Sequence, residues 1–214
     1  MDIQVNKKHY FHKKYDDLNR FISYFYQVDL TGDLNPKSVL EIGKGSGFFS
    51  DYMKKLGYSV TTCDFDKDLN PDVVADVRKI PLADNSFDAV TAFEVLEHLP
   101  FEDFPKALAE LKRVTSKYAI ISLPYKSTGF ELALKFPGVR TLFKRLFLDI
   151  FFRIPLKFGG IKVSGQHYWE IDARHYRLSR VRAEIAKHFK IAKEVRPTLN
   201  HYHYFFVLEK MENN

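Results

Sequence analysis

Cysteine is almost absent: Cys63 stands alone among 214 residues. An intrachain disulfide is excluded, and a reducing, cytoplasmic setting is expected. No apolar run approaches the ~20 residues that a membrane-spanning helix needs. The opening MDIQVNKKHYFHKKYDD lacks the apolar stretch of a secretory leader. Basic residues outnumber acidic ones, 33 against 27, yet no basic run reaches five residues. Such scattered charge reads as a soluble surface, and no nucleic-acid partner is expected. Internal repeats and low-complexity tracts are also missing. With 45% hydrophobic residues, wholesale disorder is excluded and a sizeable core is available.

From Val39 onward, short apolar strands alternate with amphipathic helices. KSVLEIG, YSVTTCD, DVVADV, FDAVTAF and KYAIISLP read as five strands. SDYMKKLG reads as a helix closed by Gly57, and KALAELKRV as one with Leu108, Leu111 and Val114 on a single face. Short apolar strands separated by helices imply a parallel sheet with right-handed crossovers. The tail adds a helix, SRVRAEIAKHF, and two strands, KIAKEVRPT and HYHYFFVLEK, which can pair at the sheet edge. A further helix, DDLNRFISYFYQV, precedes the first strand.

The stretch VLEIGKGSGFFS places Gly43, Gly45 and Gly47 where the first strand hands over to a helix. Glycine is costly in regular structure, so three in one turn need a reason. In open α/β sheets, ligands bind beyond the carboxyl ends of the strands, and this turn lies there. A dinucleotide fingerprint requires a small residue where this chain has Phe48, which argues against NAD or FAD. Glu41, two residues before the first glycine, suits a cationic ligand better than a phosphate. Asp64 ends the second strand, where a carboxylate can accept both hydroxyls of a ribose. Phe65 can cover a purine face. Asp76 can accept from an adenine amino group or cap a helix before VRKIP.

VLEIGKGSG, VTTCD and ADVRKIPLADNSFDAVTAFEVLEHL, in that order, resemble the class I S-adenosylmethionine-dependent methyltransferases, most closely the type 11 small-molecule group. The resemblance covers roughly residues 39–123. It implies a Rossmann-like seven-stranded, mostly parallel α/β sheet with an antiparallel edge strand, and S-adenosylmethionine as cofactor, with S-adenosylhomocysteine as product. It further implies that Gly43, Gly45 and Gly47 approach the methionine part and that Glu41 orders the loop and the amino group. Asp64 then holds the ribose, Asp76 and Val77 face the adenine, and Phe93 and Glu94 line the methyl-transfer side. Lys44 departs from the small or apolar residue common there and is expected to point outward.

His98, just after the fourth strand, and His167, in GQHYWEIDARHYRLS, are the candidate catalytic residues. Histidine suits base catalysis near neutral pH. Trp169 and Glu170 are candidate substrate-binding residues, with a core plug as the alternative for Trp169. Tyr10, near Tyr15, is a third, as a flap over the cofactor or simply the start of a surface helix. The spacing of the histidines offers no metal-ligand set, so no metal is expected.

The chain is expected to be one domain, 1–214: an N-terminal helical flap (1–36), a cofactor-binding core (37–124), a helical lid insertion (125–166), and a C-terminal helix with edge strands (167–214). Within the insertion, Leu142, Phe143, Leu146, Phe147, Ile150, Phe151 and Ile154 recur at helical spacing. The spacing predicts an amphipathic helix over 138–154, which serves as a lid, a dimer surface or a peripheral membrane contact. The expected activity is methyl transfer to a small-molecule acceptor, with a hydrophobic one suiting so apolar a lid, at oxygen, by a monomer or homodimer. The alternatives are a catalytically inactive S-adenosylmethionine-binding protein and an RNA methyltransferase.

Overall fold

The computed structural model describes residues 7–12, 14–126, 129–143, 148–153, 166–173 and 175–211. Helix α1 (Leu18–Asp33) starts at Asp17, whose side chain accepts from the Arg20 amide. Strand β1 (Ser38–Ile42) runs into the glycine turn and α2 (Phe48–Lys55). Then come β2 (Ser59–Asp64), the two-residue β3 (Val73–Val74), β4 (Phe87–Phe93), α3 (Phe104–Val114) and β5 (Thr115–Pro124). An arm follows, with β6 (Gly129–Leu134), a short α4 (Val139–Phe143) and β7 (Leu148–Arg153). The chain closes with α5 (Leu178–Ile185), β8 (Phe189–Val195) and β9 (His203–Lys210).

Seven strands form one sheet in the order β3-β2-β1-β4-β5-β9-β8. The first five pair in parallel, and β9 lies antiparallel between β5 and β8. This is the Rossmann-like architecture, with its antiparallel strand one place in from the edge. Alternate residues of each strand point to opposite faces. Leu40, Val90, Ile121 and Phe206 therefore meet Leu108 and Leu111 of α3 and Val181 and Ile185 of α5. Val39, Ala89, Ile120 and Phe205 face the other way, toward Phe49 and Met53 of α2 and Leu30 of α1. Both sheet faces are covered, as near-continuous apolar strands demand.

The helix expected over 138–154 does not form. Among the described residues, Val139–Phe143 are helical, and Leu148–Arg153 form a strand paired antiparallel with Gly129–Leu134. Positions 144–147 and 154–165, including Leu146, Phe147 and Ile154, lie outside the described residues. The error is physical: a dense apolar run satisfies both periods, and here GFELAL supplies a partner strand. Phe130 lies opposite Phe152, and Leu132 opposite Ile150, on one face of the arm. That face is open, with Phe130 67% and Phe152 56% exposed. The opposite face docks on the loop before β9. Phe151 lies under the Arg196 guanidinium at 3.8 Å, and the Leu199 amide donates to Glu131 at 2.7 Å. The described residues of the insertion thus form a two-stranded arm with one short helix rather than a helical lid.

Candidate active site

The carboxyl ends of β1, β2 and β4 open onto a cavity of about 480 Å³, a volume typical of small-molecule sites. Its floor is the glycine turn. Gly43, Gly45 and Gly47 all hold positive φ, at 80°, 51° and 78°. Each does a different job. A Cβ on Gly43 would lie 2.3 Å from Val95 Cγ2, so this glycine admits the chain after β4. Gly45 borders the cavity, and the ring of Tyr10 would be 3.6 Å from its Cβ. Gly47 is the left-handed N-cap of α2 and does not line the cavity. Gly43→Ala is expected to cost about 1–3 kcal/mol of stability through this clash and its φ, measured by denaturant unfolding.

Two carboxylates face the cavity from neighbouring strand ends. Glu41 is buried, its Oε2 has no hydrogen-bond partner among the described residues, and burial pushes its pKa up to about 8. Asp64 is also raised by burial, while the amides of Asp66, Gly45 and Lys44 pull it back down. Lys44 reaches across the mouth to the Asn70 carbonyl at 2.7 Å. Phe65 and Val77 line the same side.

Asp76 does not line the cavity. Its carboxylate is committed to Arg78, which also binds Asp103. No helix follows Asp76 before β4, so it is not a helix cap either: its carboxylate accepts from the Arg78 amide at 2.8 Å and is held by the guanidinium of the same residue. Trp169 is likewise a correction. It is fully buried, donates from Nε1 to the Leu99 carbonyl at 3.1 Å, and packs edge-on against Phe101 and Phe104. It plugs the core and does not reach the cavity.

The far wall comes from β4 and the returning chain. Phe93, Glu94, His98 and His167 all line the cavity. Glu94 sits at φ 53°, a left-handed conformation that a non-glycine residue rarely adopts, which aims it inward. The His98 and His167 rings meet edge to face, 4.9 Å apart. Burial, with His167 adding to it, drives His98 down to about 4. His98 is therefore neutral at physiological pH and a weak base there. Glu170 is fully buried behind this wall and accepts from the Tyr202 hydroxyl at 2.9 Å. It supports His167 rather than lining the cavity.

Several wall residues were not expected from the sequence. His203 bonds Ser23 at 2.7 Å, faces Glu94 at 3.5 Å, and lines the cavity beside Tyr202. Both belong to HYHYF, read only as strand. The signal was polar aromatic residues at a strand end, where a purely structural strand would be apolar. Tyr10 and Tyr15 line the cavity, with the Arg20 guanidinium 4.4 Å over the Tyr15 ring. None of the described arm residues, 129–143 and 148–153, lines it.

A family model described as a methyltransferase domain, Methyltransf_11, matches residues 40–123, from β1 to the end of β5. This match takes in 84 of the chain's 214 residues. The chain is 36% identical over 98 residues to a demethylmenaquinone methyltransferase of Renibacterium salmoninarum, covering 41% of this chain and 40% of that protein. It is 32% identical over 117 residues to a ubiquinone biosynthesis O-methyltransferase of Xanthomonas oryzae, covering 47% and 49%. The match thus spans under half the length of these curated relatives. Among solved structures, a SAM-dependent methyltransferase from Aquifex aeolicus shares 18% identity at a TM-score of 0.62, over 97% of this chain and 100% of the other. A 1,6-didemethyltoxoflavin-N1-methyltransferase from Burkholderia thailandensis, solved with S-adenosylhomocysteine, shares 16% at 0.58, over 92% and 80%. These likenesses show that the methyltransferase fold extends beyond residues 40–123.

Proposed function

We propose that the chain binds S-adenosylmethionine in the 480 Å³ cavity and methylates a small-molecule acceptor at oxygen. The observation that carries this reading is the pair of buried carboxylates, Glu41 and Asp64, flanking the glycine turn at the cavity wall. They fit a ligand with an amino group, a sulfonium and a ribose diol, and they repel a phosphate. Glu41 has an oxygen with no partner among the described residues to offer an ammonium group. Asp64 offers acceptors to ribose hydroxyls. When bound, the cofactor supplies an electrophilic methyl group. Phe93 and Glu94 border the space where an acceptor would meet it. The quinone-pathway names of the two curated relatives support a small organic acceptor, and the O-methyltransferase supports oxygen.

Calorimetric titration with S-adenosylmethionine, and with NADH as control, tests the reading. Binding of the first alone is expected; no binding, or equal binding of NADH, would overturn it. The pH dependence is a sharper signature. Glu41 is raised from 4.5 to about 8 in the folded protein. Its neutral form thus adds stability that is complete below 4.5 and lost as pH rises through 8. A bound cation favours the ionised form, so binding should expel a proton below pH ~8 and tighten as pH rises toward it. Glu41→Gln should flatten that profile. A profile identical in parent and variant would remove Glu41 from the cofactor site.

A further inference from the structure

The positive charge of this chain has one source. Residues 125–166, the insertion after β5, hold eight basic and two acidic residues, while the rest of the chain holds 25 of each. The insertion therefore supplies the whole surplus of six positive charges.

The same segment presents the open face of the arm. Phe130, Leu132 and Leu134 of β6 alternate onto one side, opposite Phe152, Ile150 and Leu148 of β7. All but Leu148 are exposed large hydrophobics. Single exposed apolar side chains are ordinary, but five on one face of a two-stranded ribbon make a contiguous patch of the kind that marks an interaction site. The tip between the strands adds Phe136, Leu142 and Phe143, also exposed, as are Lys135 and Arg140. The ribbon's other side is already used, docking on the loop before β9 through Phe151 and Glu131.

We propose that the arm docks on the surface of an anionic bilayer, with its apolar face at the boundary between headgroups and acyl chains and its cations against the lipid phosphates. Apolar side chains gain by leaving water there, and Lys and Arg keep their charged ends at the headgroups, so both observations are met at once. A second copy fits less well. A two-fold contact sets a patch against itself, which here brings a cationic segment against its twin. A phosphate polymer would take the cations and leave Leu132, Leu134 and Ile150 in water. The contact is superficial. No described helix is long and apolar enough to cross a membrane, and the six-residue strands of the arm fall short of the ~9–11 residues of a spanning strand. Phe151 packs on His201 with ring centroids 5.2 Å apart, next in sequence to Tyr202 of the cavity wall. Docking thus keeps the cavity near the bilayer, where apolar molecules concentrate.

Flotation of the full chain with lipid vesicles tests the surface. Binding to vesicles of mixed phosphatidylcholine and phosphatidylglycerol is expected, weakening as salt rises, with little binding to phosphatidylcholine alone. Combining Phe130→Glu with Phe152→Glu should abolish it. Lys135→Ala and Arg140→Ala should each weaken it about 5-fold, the scale of one cation at an anionic surface. These four side chains are exposed, so far-UV circular dichroism should match the parent. Phe25→Glu, exposed on α1 away from the arm, should bind as the parent does. Equal binding to neutral vesicles, or arm variants that bind like the parent, would overturn the assignment. So would a parent that binds neither vesicle; a dimer that Phe130→Glu splits would then give the face to a second copy.

Discussion

Trp169→Ala should destabilise the protein by about 3–5 kcal/mol, the range for emptying a large aromatic from a core. Domains of this size carry only about 5–15 kcal/mol in total, so a substantial loss of folded protein near physiological temperature follows. The expectation rests on complete burial among Phe101, Phe104 and Tyr176, and on the bond from Nε1 to the Leu99 carbonyl. Trp169→Phe should keep most of the packing and lose about 1 kcal/mol with that bond. Urea unfolding followed by far-UV circular dichroism measures both. A substrate-wall tryptophan would behave oppositely, with stability unchanged and acceptor KM raised. That result would return Trp169 to the site.

The second large effect is on ligand affinity. Asp64→Ala should weaken S-adenosylmethionine binding by about 1–3 kcal/mol, roughly 5- to 150-fold in Kd. Two losses combine in it. The ribose hydroxyls lose their acceptor, and the glycine turn loses an anchor, since Asp64 accepts from the Lys44 and Gly45 amides as well as from Asp66. Asp64→Asn retains an acceptor for the turn and should fall between parent and alanine variant. Asp76→Ala is the matched control. Its carboxylate is spent on Arg78 outside the cavity, so cofactor affinity should not change. Calorimetry on the three variants decides the matter. A silent Asp64 beside a damaging Asp76 would relocate the nucleoside part of the site.

Local signals made the central sheet legible. KSVLEIG, YSVTTCD, FDAVTAF and KYAIISLP are short apolar runs bounded by glycine, proline or acidic turns, and each became a strand. The arm was not legible, because Leu148, Ile150 and Phe152 fit a helical face as well as a strand face. Only the presence of 129–134 as a partner decides between them. Asp76 shows a similar limit. Its place after a strand suggests a ligand, but Arg78 captures it, and a sequence does not show which cation folds back.

By itself, the sequence determined the α/β class, the glycine turn and the two carboxylates beside it. Those features depend on backbone conformation and on position at a strand end, both of which are written within a few residues. Only the tertiary structure decided what stands opposite them. His167 and His203 are 69 and 105 residues from His98 in the chain, and the sheet order brings all three to one wall. The same folding leaves Glu97 buried between two imidazoles. Burial and partnership between distant side chains are set by packing, and no spacing rule along the chain encodes them.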